Sequence, residues 1–444
     1  MTTLYQSVPQ GWEKTSLRRL VERPKNGAWG AEEGEDEFDA VCVRVADFDW
    51  SRLALNLNNP TRRSFKKKQF QTLQLMNGDI LLEKSGGGEK TPVGRVVAFE
   101  GNVDSLTSNF VARVRPLEIY SSRYCLYILA AHYLSGFSHQ FIKQNTGIQN
   151  LDDANLFRSD VWVPDLPTQR AIADFLDRET ARIDLLIEKR EEFAALVASA
   201  RDSLIASLIC GQSARVQTHP SADWTENRPA HWKIERTKMH FKERVQKSIG
   251  GEEELLSVSH ITGVTPRSEK DVNMFLAETN DGYKIVNIGD IVINTMWGWM
   301  GAMGVSKTSG IASPAYGVYR AISNAFDPHF LDLLLRSKPF IGEVTRRSKG
   351  IHSSRLRIYP DAFLDIRLPI PPRDEQEVIL AQIRTRTERE NRLVEKNEYA
   401  TSLLKEYRSS LITAAVTGQI DVTKWVKAGT ADRKLDAIQA TMNA

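Results

Sequence analysis

The chain repeats itself, and over part of its length the repeat has a fixed period. Residues 203–212 read SLIASLICGQ, and 207 positions later residues 410–419 read SLITAAVTGQ. The same shift lays VPDLPTQRAI (163–172) over IPPRDEQEVI (370–379) and LLIEKR (185–190) over RLVEKN (392–397). Upstream the likeness continues but the shift drifts. GWEKTSLRRL (11–20) resembles HWKIERTKMH (231–240) at 220, NGDILLEKS (77–85) resembles IGDIVINTM (288–296) at 211, and TGI (146–148) resembles KGI (349–351) at 203. Self-similarity at this scale means two copies of one structural unit. Each copy has a part that tolerated insertions, followed by a segment that did not.

The fixed-length segments read as long helices. Gln169–Gln212 and Gln376–Gln419 contain no Pro, and no Gly before Gly211 and Gly418. Good helix formers dominate both. Leu176, Ile183, Val197 and Leu204 fall on a seven-residue step, with Ile172, Ile187, Ala194 and Leu208 on the companion positions. The second copy keeps the step at Ile383, Leu404 and Leu411, with Glu390 and Asn397 interrupting it. Each helix opens after a Pro-rich entry and closes at a Gly, a normal C-terminal stop. At 1.5 Å per residue such a rod is about 66 Å long. A lone amphipathic rod cannot bury its stripe, so the two are expected to pack on each other; the alternative is that each packs only on its own globular part. If they pair, a duplicated unit closes most simply through a pseudo-twofold axis. The rods then run antiparallel, with Arg190 near Asn397 and Ile183 facing Leu404.

With 444 residues the chain exceeds a single core. The expected organisation is a globular part at 1–165, a first long helix at 166–215, a second globular part at 216–374, a second long helix at 375–420, and a tail at 421–444. Short β-rich runs such as FDAVCVRV, GDILLEK, GRVVAFE, GDIVINT and AYGVYRA precede apolar helical stretches at 124–134 and 329–336. That pattern predicts an α+β protein with a mixed domain in each copy. The longest apolar run, YCLYILAAHYL (124–134), has 11 residues, too few to span a bilayer, and reads as a buried helix despite His132. MTTLYQSVPQ lacks a basic-plus-apolar signal pattern, and Cys42, Cys125 and Cys210 show no CxxC spacing. A cytoplasmic protein without disulfides, metal site or membrane contact is expected.

The net charge of +3 says little about partners, but its distribution says more. Residues 1–165 hold 20 Lys+Arg and 20 Asp+Glu, with six of the acids in AEEGEDEFD (31–39), a block expected to decorate a loop. The basic residues cluster in RRSFKKK (62–68), KSGGGEKTPVGR (84–95) and RRSKGIHSSRLR (346–357), beside the aromatic TMWGWMGAMG (295–304). Lys and Arg neutralise phosphates, and Arg, Asn, Gln or Ser read base edges. The candidate DNA contacts are therefore Lys66, Lys67, Lys68, Lys84, Ser85, Lys90, Arg95, Lys143 and Asn145 in the first copy. In the second they are Lys307, Arg346, Arg347, Lys349, His352 and Arg355. A basic cluster can equally be a solvated face, and Trp297 and Trp299 can equally be core aromatics.

Catalytic signatures are missing. SGGGEKT lacks the adjacent Gly-Lys-Ser/Thr of a phosphate-binding loop, with Glu89 where the last Gly should stand. NNPT (58–61) is not the Asx/Ser-Pro-Pro-aromatic box of an amino-methyltransferase, and no Gly-rich cofactor fingerprint follows a strand. PDAFLDIR (360–367) only loosely echoes a nuclease motif and ends in Arg. The chain is expected to read and scaffold, with no catalytic residue of its own.

IRLPIPPRDEQEVI (366–379) resembles the junction that opens each long helix in the specificity subunits of type I restriction-modification systems. The GDILL strand, the GI approach to the junction and the Gly-Gln helix ends are similar too. VPDLPTQRAI departs, with Thr168 where that family usually has Glu. The resemblance spans essentially the whole chain. It implies two mixed α/β target recognition domains joined by two antiparallel helices that form a coiled-coil spacer. Each domain would read one half of a bipartite, asymmetric site in double-stranded DNA. A rod of about 66 Å then limits the half-site separation to under about two helical turns, at about 3.4 Å per base pair. It further implies methyltransferase subunits, two in number, carrying S-adenosylmethionine, and restriction subunits using ATP and Mg2+, with no cofactor on this chain. The competing expectation is a two-lobed coiled-coil scaffold that binds protein partners without reading DNA sequence.

Overall fold

The structure is a computed structural model that describes residues 4–5, 8–145, 147–211, 224–225, 228–269, 279–350 and 356–422. His352, Arg355 and the tail beyond 422 lie outside the described residues. The chain forms two compact units. Unit 1 comprises Met1–Glu192 with Asn397–Ala444, and unit 2 comprises Phe193–Lys396.

Unit 1 contains β1 (Glu13–Ser16), β2 (Lys25–Asn26), β3 (Phe38–Val43), β4 (Arg62–Phe65), α1 (Lys67–Leu73), β5 (Ile80–Glu83), β6 (Ser85–Gly86), β7 (Val96–Ala98), β8 (Ser105–Thr107) and β9 (Val111–Val114). After these come α2 (Ser122–Leu134), β10 (Ile142–Asn145), β11 (Ile148–Leu151) and β12 (Asp160–Val163), and then the long helix α3 (Leu166–Cys210). An antiparallel sheet runs in the order β2-β9-β5-β7. Its inner strand β5 is buried along its whole length, as the run ILLE requires. The buried helix α2 packs into the same core, where Leu17, Ile80, Leu82, Leu126, Ile128 and Val161 meet. His132 lies within that helix, its Nδ1 2.7 Å from the Ile128 carbonyl. Burial pulls its pKa down to about 4, so the ring is neutral near pH 7.

Unit 2 repeats this plan with β13 (Lys233–Arg236), β14 (Phe241–Glu243), β15 (Leu256–Ser259), β16 (Gly263–Pro266), β17 (Ile291–Asn294), β18 (Met303–Val305) and β19 (Tyr316–Ala321). Helices α4 (Pro328–Leu335) and α5 (Lys338–Arg347) precede β20 (Arg367–Ile370) and the second long helix α6 (Arg373–Val416). The sheet order β14-β19-β17-β18 matches that of unit 1 strand for strand. The β1–β12 pair before α3 recurs as β13–β20 before α6, both antiparallel.

The long helices run antiparallel where they meet inside each unit. In unit 1, Arg190 donates to Asn397 Oδ1 at 3.2 Å, Asn397 Nδ2 donates back to the Arg190 carbonyl at 2.9 Å, and Arg408 Nε donates to Asp184 at 2.9 Å. Of the two polar interruptions of the heptad, Asn397 is bonded across the seam, while Glu390 accepts from Arg386 of its own helix at 2.7 Å through one oxygen and buries the other without a partner. Ile172, Leu176 and Ile183 share the unit 1 core with Leu411, Ile412 and Ala415, and Leu404 packs against it. In unit 2, Arg201 donates to Asn391 at 3.2 Å, and Leu208 and Ile209 meet Ile379 and Ile383. Each helix half thus packs on the other helix and on a globular part together, so the two packing expectations were not exclusive. By length and composition α3 could cross a bilayer, its most apolar 18-residue stretch having a mean hydropathy of 1.6. Only 11% of that stretch is buried, through Ile209 and Cys210 in the unit 2 core, while Ile172, Leu176 and Ile183 at the other end of the helix lie in the unit 1 core.

The junctions and the helix ends are the same device made twice. Gln169 and Gln376 stand at equivalent places and are both buried. Gln169 Nε2 donates to the Pro164 carbonyl at 2.9 Å while its Oε1 accepts from the Ser121 N–H at 3.0 Å, at the cap of α2. Gln376 donates to the Pro371 and Ala325 carbonyls at 2.9 and 2.8 Å and accepts from the Asp327 N–H at 2.7 Å, at the cap of α4. At the far ends, Gly211 and Gly418 have φ of +67° and +73°. A Cβ on Gly211 would stand 2.6 Å from Pro229 and 2.8 Å from Trp232, and one on Gly418 would stand 2.1 Å from Pro9 and 3.1 Å from Trp12. The Gly that ends each rod is needed both for its left-handed backbone and for this close approach.

Candidate nucleic-acid interface

The basic run 62–68 and the acidic block 31–39 fold onto each other. Arg62 Nε donates to Glu33 at 2.5 Å, Arg63 pairs with Glu32, and the Lys67 N–H donates to Glu37 at 2.6 Å. The Asp36 N–H donates to Ser64 Oγ at 2.8 Å, and the Arg63 guanidinium lies 4.6 Å from the Trp29 ring centre. Residues 32–37 do lie in an exposed turn before β3, as expected, and two of their acids, Glu32 and Glu33, pair with Arg63 and Arg62 of β4. Lys66, Lys67 and Lys68, at the start of α1, are exposed.

The segment from 84 to 95 and the β10–β11 hairpin come together in unit 1. β11 is the middle strand of a small antiparallel sheet ordered β10-β11-β6. Here the candidates divide. Lys84 is largely enclosed: its Nζ donates to Asn26 at 2.8 Å and pairs with Asp153 at 3.2 Å. Arg95 forms a bidentate pair with the buried Glu83 at 2.8 and 2.9 Å, and this bond holds the guanidinium pKa above its usual value. Both belong to the framework. Ser85 Oγ donates to Asn150 Oδ1 at 2.6 Å. Lys90 is exposed, and Lys143 has 70% of its side chain exposed while it pairs with Asp152 at 2.6 Å. That bond from Lys143 holds the Asp152 carboxyl below its ordinary pKa. Asn145 ends β10.

Unit 2 joins the same two segments. The stretch after β17, which matches 84–95 in order, meets the end of α5 and the stretch after it, which matches the hairpin. Thr345 Oγ1 donates to the Trp299 carbonyl at 3.0 Å and the Ile358 N–H donates to the Thr295 carbonyl at 3.2 Å. Lys349 and Arg357, both exposed, exchange two backbone hydrogen bonds of 2.9 Å. Arg346 and Arg347 both donate to Glu343. Burial pushes that carboxyl up, but the bonds from the two arginines outweigh it and hold it below the usual range. Lys307 is exposed just after β18. Trp297 is 51% exposed with Met296 and Met300 beside it, so it is not a core aromatic, while Trp299 is half-buried and its Nε1 donates to the Met296 carbonyl at 3.0 Å.

Sequence reading overlooked Asn150. The alternation in IQNL, with Ile148 and Asn150 outward and Gln149 and Leu151 inward, is the signal that could have found it. Among the described residues no group of three or more His, Cys, Asp or Glu is placed to hold a metal ion.

The comparisons with known proteins bear on this arrangement. No curated protein matches the chain. Among solved structures, one from work on complex assembly and conformational transition of the type I R-M system aligns over 93% of this chain and 100% of its own, with TM-score 0.60 and 15% identity. That likeness establishes the fold. The HsdS subunit from Thermoanaerobacter tengcongensis aligns over 93% and 98% of the two chains, with TM-score 0.48 and 16% identity. Residues 9–193 match the family model of the type I restriction modification DNA specificity domain. That match covers residues 9–193, under half of the 444-residue chain, and is a likeness of that segment.

Proposed function

We propose that the chain is the DNA-specificity subunit of a type I restriction-modification complex, with each unit reading one half of a bipartite, asymmetric target. The observation that carries this reading is the duplicated surface. In both units the segment after the inner sheet strand, β5 or β17, meets the segment before the long helix, and both places present exposed cations and polar groups. The outward residues differ between copies: Ser85, Lys143 and Asn150 in one, and Trp297, Lys349 and Arg357 in the other. Two different surfaces require two different half-sites.

The long helices would set the gap between the halves and carry the enzymes. Leu186, Tyr399, Leu403 and Tyr407 on the unit 1 halves of these helices, and Phe193, Leu196 and Leu393 on the unit 2 halves, are exposed apolar side chains that suit protein partners. Two methyltransferase subunits would dock there, supplying S-adenosylmethionine and adenine methylation. A motor-nuclease subunit using ATP and Mg2+ would add cleavage, and the assembly would work in the cytoplasm. The chain itself contributes recognition and spacing.

Methylome sequencing of cells carrying this chain with its methyltransferase partner tests the proposal. The expected result is one motif in two defined, unlike parts separated by a fixed run of unread bases. A single continuous motif, or no motif, overturns it.

A further inference from the structure

We propose that Asn150 is a specificity-determining residue of unit 1 that reads an adenine from the outer face of the β10–β11–β6 sheet, with Ser85 as the residue that positions its amide. The proposal rests on the DNA-recognition reading above. Strand register puts Lys143, Asn150 and Ser85 in one cross-strand row, Lys143 opposite Asn150 and Asn150 opposite Ser85. Asn150 is the centre of that row, on the middle strand, and it is exposed. The other face of β11 is fixed from below. Gln149 is buried with its Oε1 accepting from the Val93 N–H at 3.2 Å, and Leu151 lies in the core. Period-two alternation then directs Ile148 and Asn150 outward on a backbone that cannot slip without burying them.

The amide is oriented before any ligand arrives. Ser85 Oγ–H donates to Asn150 Oδ1 at 2.6 Å. An Asn amide has an oxygen with two lone pairs and a nitrogen with two N–H donors. The hydroxyl uses one lone pair, leaving one acceptor site beside two donors. That pair complements the N6–H donor and N7 acceptor of adenine, the bidentate match an Asn makes in the major groove, which is wide enough for a small β-ribbon. Restraining the side chain beforehand lowers the ordering cost of binding. Two residues along the same face, Ile148 is 51% exposed, an apolar contact suited to a thymine methyl. Lys143 adds positive charge at the edge of the row.

The experiment uses the full chain assembled with its methyltransferase subunits, binding duplexes that carry the wild-type motif or single base-pair changes in it. Asn150→Asp is the principal variant. It keeps the acceptor for Ser85 and the size of the side chain, but removes the N–H that an N7 atom needs. At one A·T position in one half-site, discrimination should fall by between about 5-fold and about 150-fold, with a new tolerance for a pair presenting a cytosine N4 donor. Ser85→Ala should weaken discrimination at that same position, and Ser85→Thr, which keeps the hydroxyl, should restore it. If the wild-type complex shows no sequence preference, the function reading fails. If the wild type discriminates and Asn150→Asp leaves every position unchanged, or weakens all positions alike, the assignment of Asn150 is overturned. Methylome sequencing with Asn150→Asp is a second readout, independent of binding. A changed letter in one half and none in the other supports the assignment, and an unchanged motif overturns it.

Discussion

At the scale of single residues, Gln169 and Gln376 show how a fixed-length repeat preserves a chemical role. Each plugs the carbonyl left open by a Pro-rich entry and holds the cap of the preceding apolar helix. A buried donor or acceptor left without a partner costs about 1–3 kcal/mol. Gln376→Ala strands the Asp327 N–H and the Pro371 and Ala325 carbonyls. A loss of about 3 kcal/mol or more is therefore expected, read as a lower unfolding midpoint in denaturant. Gln169→Ala, with two bonds at stake, should cost less. Equal, negligible effects would mean that water replaces these amides without penalty. The candidate cations show the converse lesson. Lys84 and Arg95 look like phosphate ligands in a Gly-rich run, yet their partners Asn26, Asp153 and Glu83 make them framework, and only Asn26 and Asp153 are distant in sequence.

At the scale of elements, Glu32 and Glu33 of the acidic block form ion pairs with Arg63 and Arg62 of β4. Exposed ion pairs of this kind contribute about 0–1 kcal/mol to folding, so removing the acids should leave the fold standing. Under the proposed function, Glu33→Gln frees the exposed Arg62 to meet a phosphate, while Arg63 stays largely enclosed over Trp29. DNA binding by the assembled complex should then tighten at low salt, and the plot of log affinity against log salt should steepen by up to about 1. An unchanged slope would place β4 away from the DNA. The long helices make the complementary point about polar residues in a seam. Asn397 breaks the heptad, but its two bonds to Arg190 fix the register of the antiparallel crossing, a role a buried amide fills well in coiled coils.

At the scale of the whole molecule, the constant shift of 207 has one physical meaning. Two helices that must stay matched cannot take an insertion singly. Removing four residues from both α3 and α6, near Arg190 and Asn397, shortens each rod by about 6 Å. Under the proposed function the unread gap in the methylated motif should shrink while both half-site sequences persist. A changed half-site with an unchanged gap would show that the helices do not set the spacing. The repeat predicts this crossing only on condition that the rods pair through a twofold axis, and the Arg190–Asn397 bonds meet that condition.

Whatever depends on local periodicity and on the repeat is legible without coordinates. That covers the two long helices, their Gly ends, the α+β character of each copy, the buried helix at 124–134 and the resemblance to type I specificity subunits. Heptad spacing, missing Pro and a fixed shift are properties of neighbouring residues, so they survive without coordinates. The tertiary structure decided which charged and polar groups are free to act. Arg62 and Glu33, Lys84 and Asn26, and Ser85 and Asn150 are brought together by strand pairing between segments 29, 58 and 65 residues apart. A charge is written in one residue, but whether it is used inside the fold or left for a ligand depends on a partner that only the closed chain supplies.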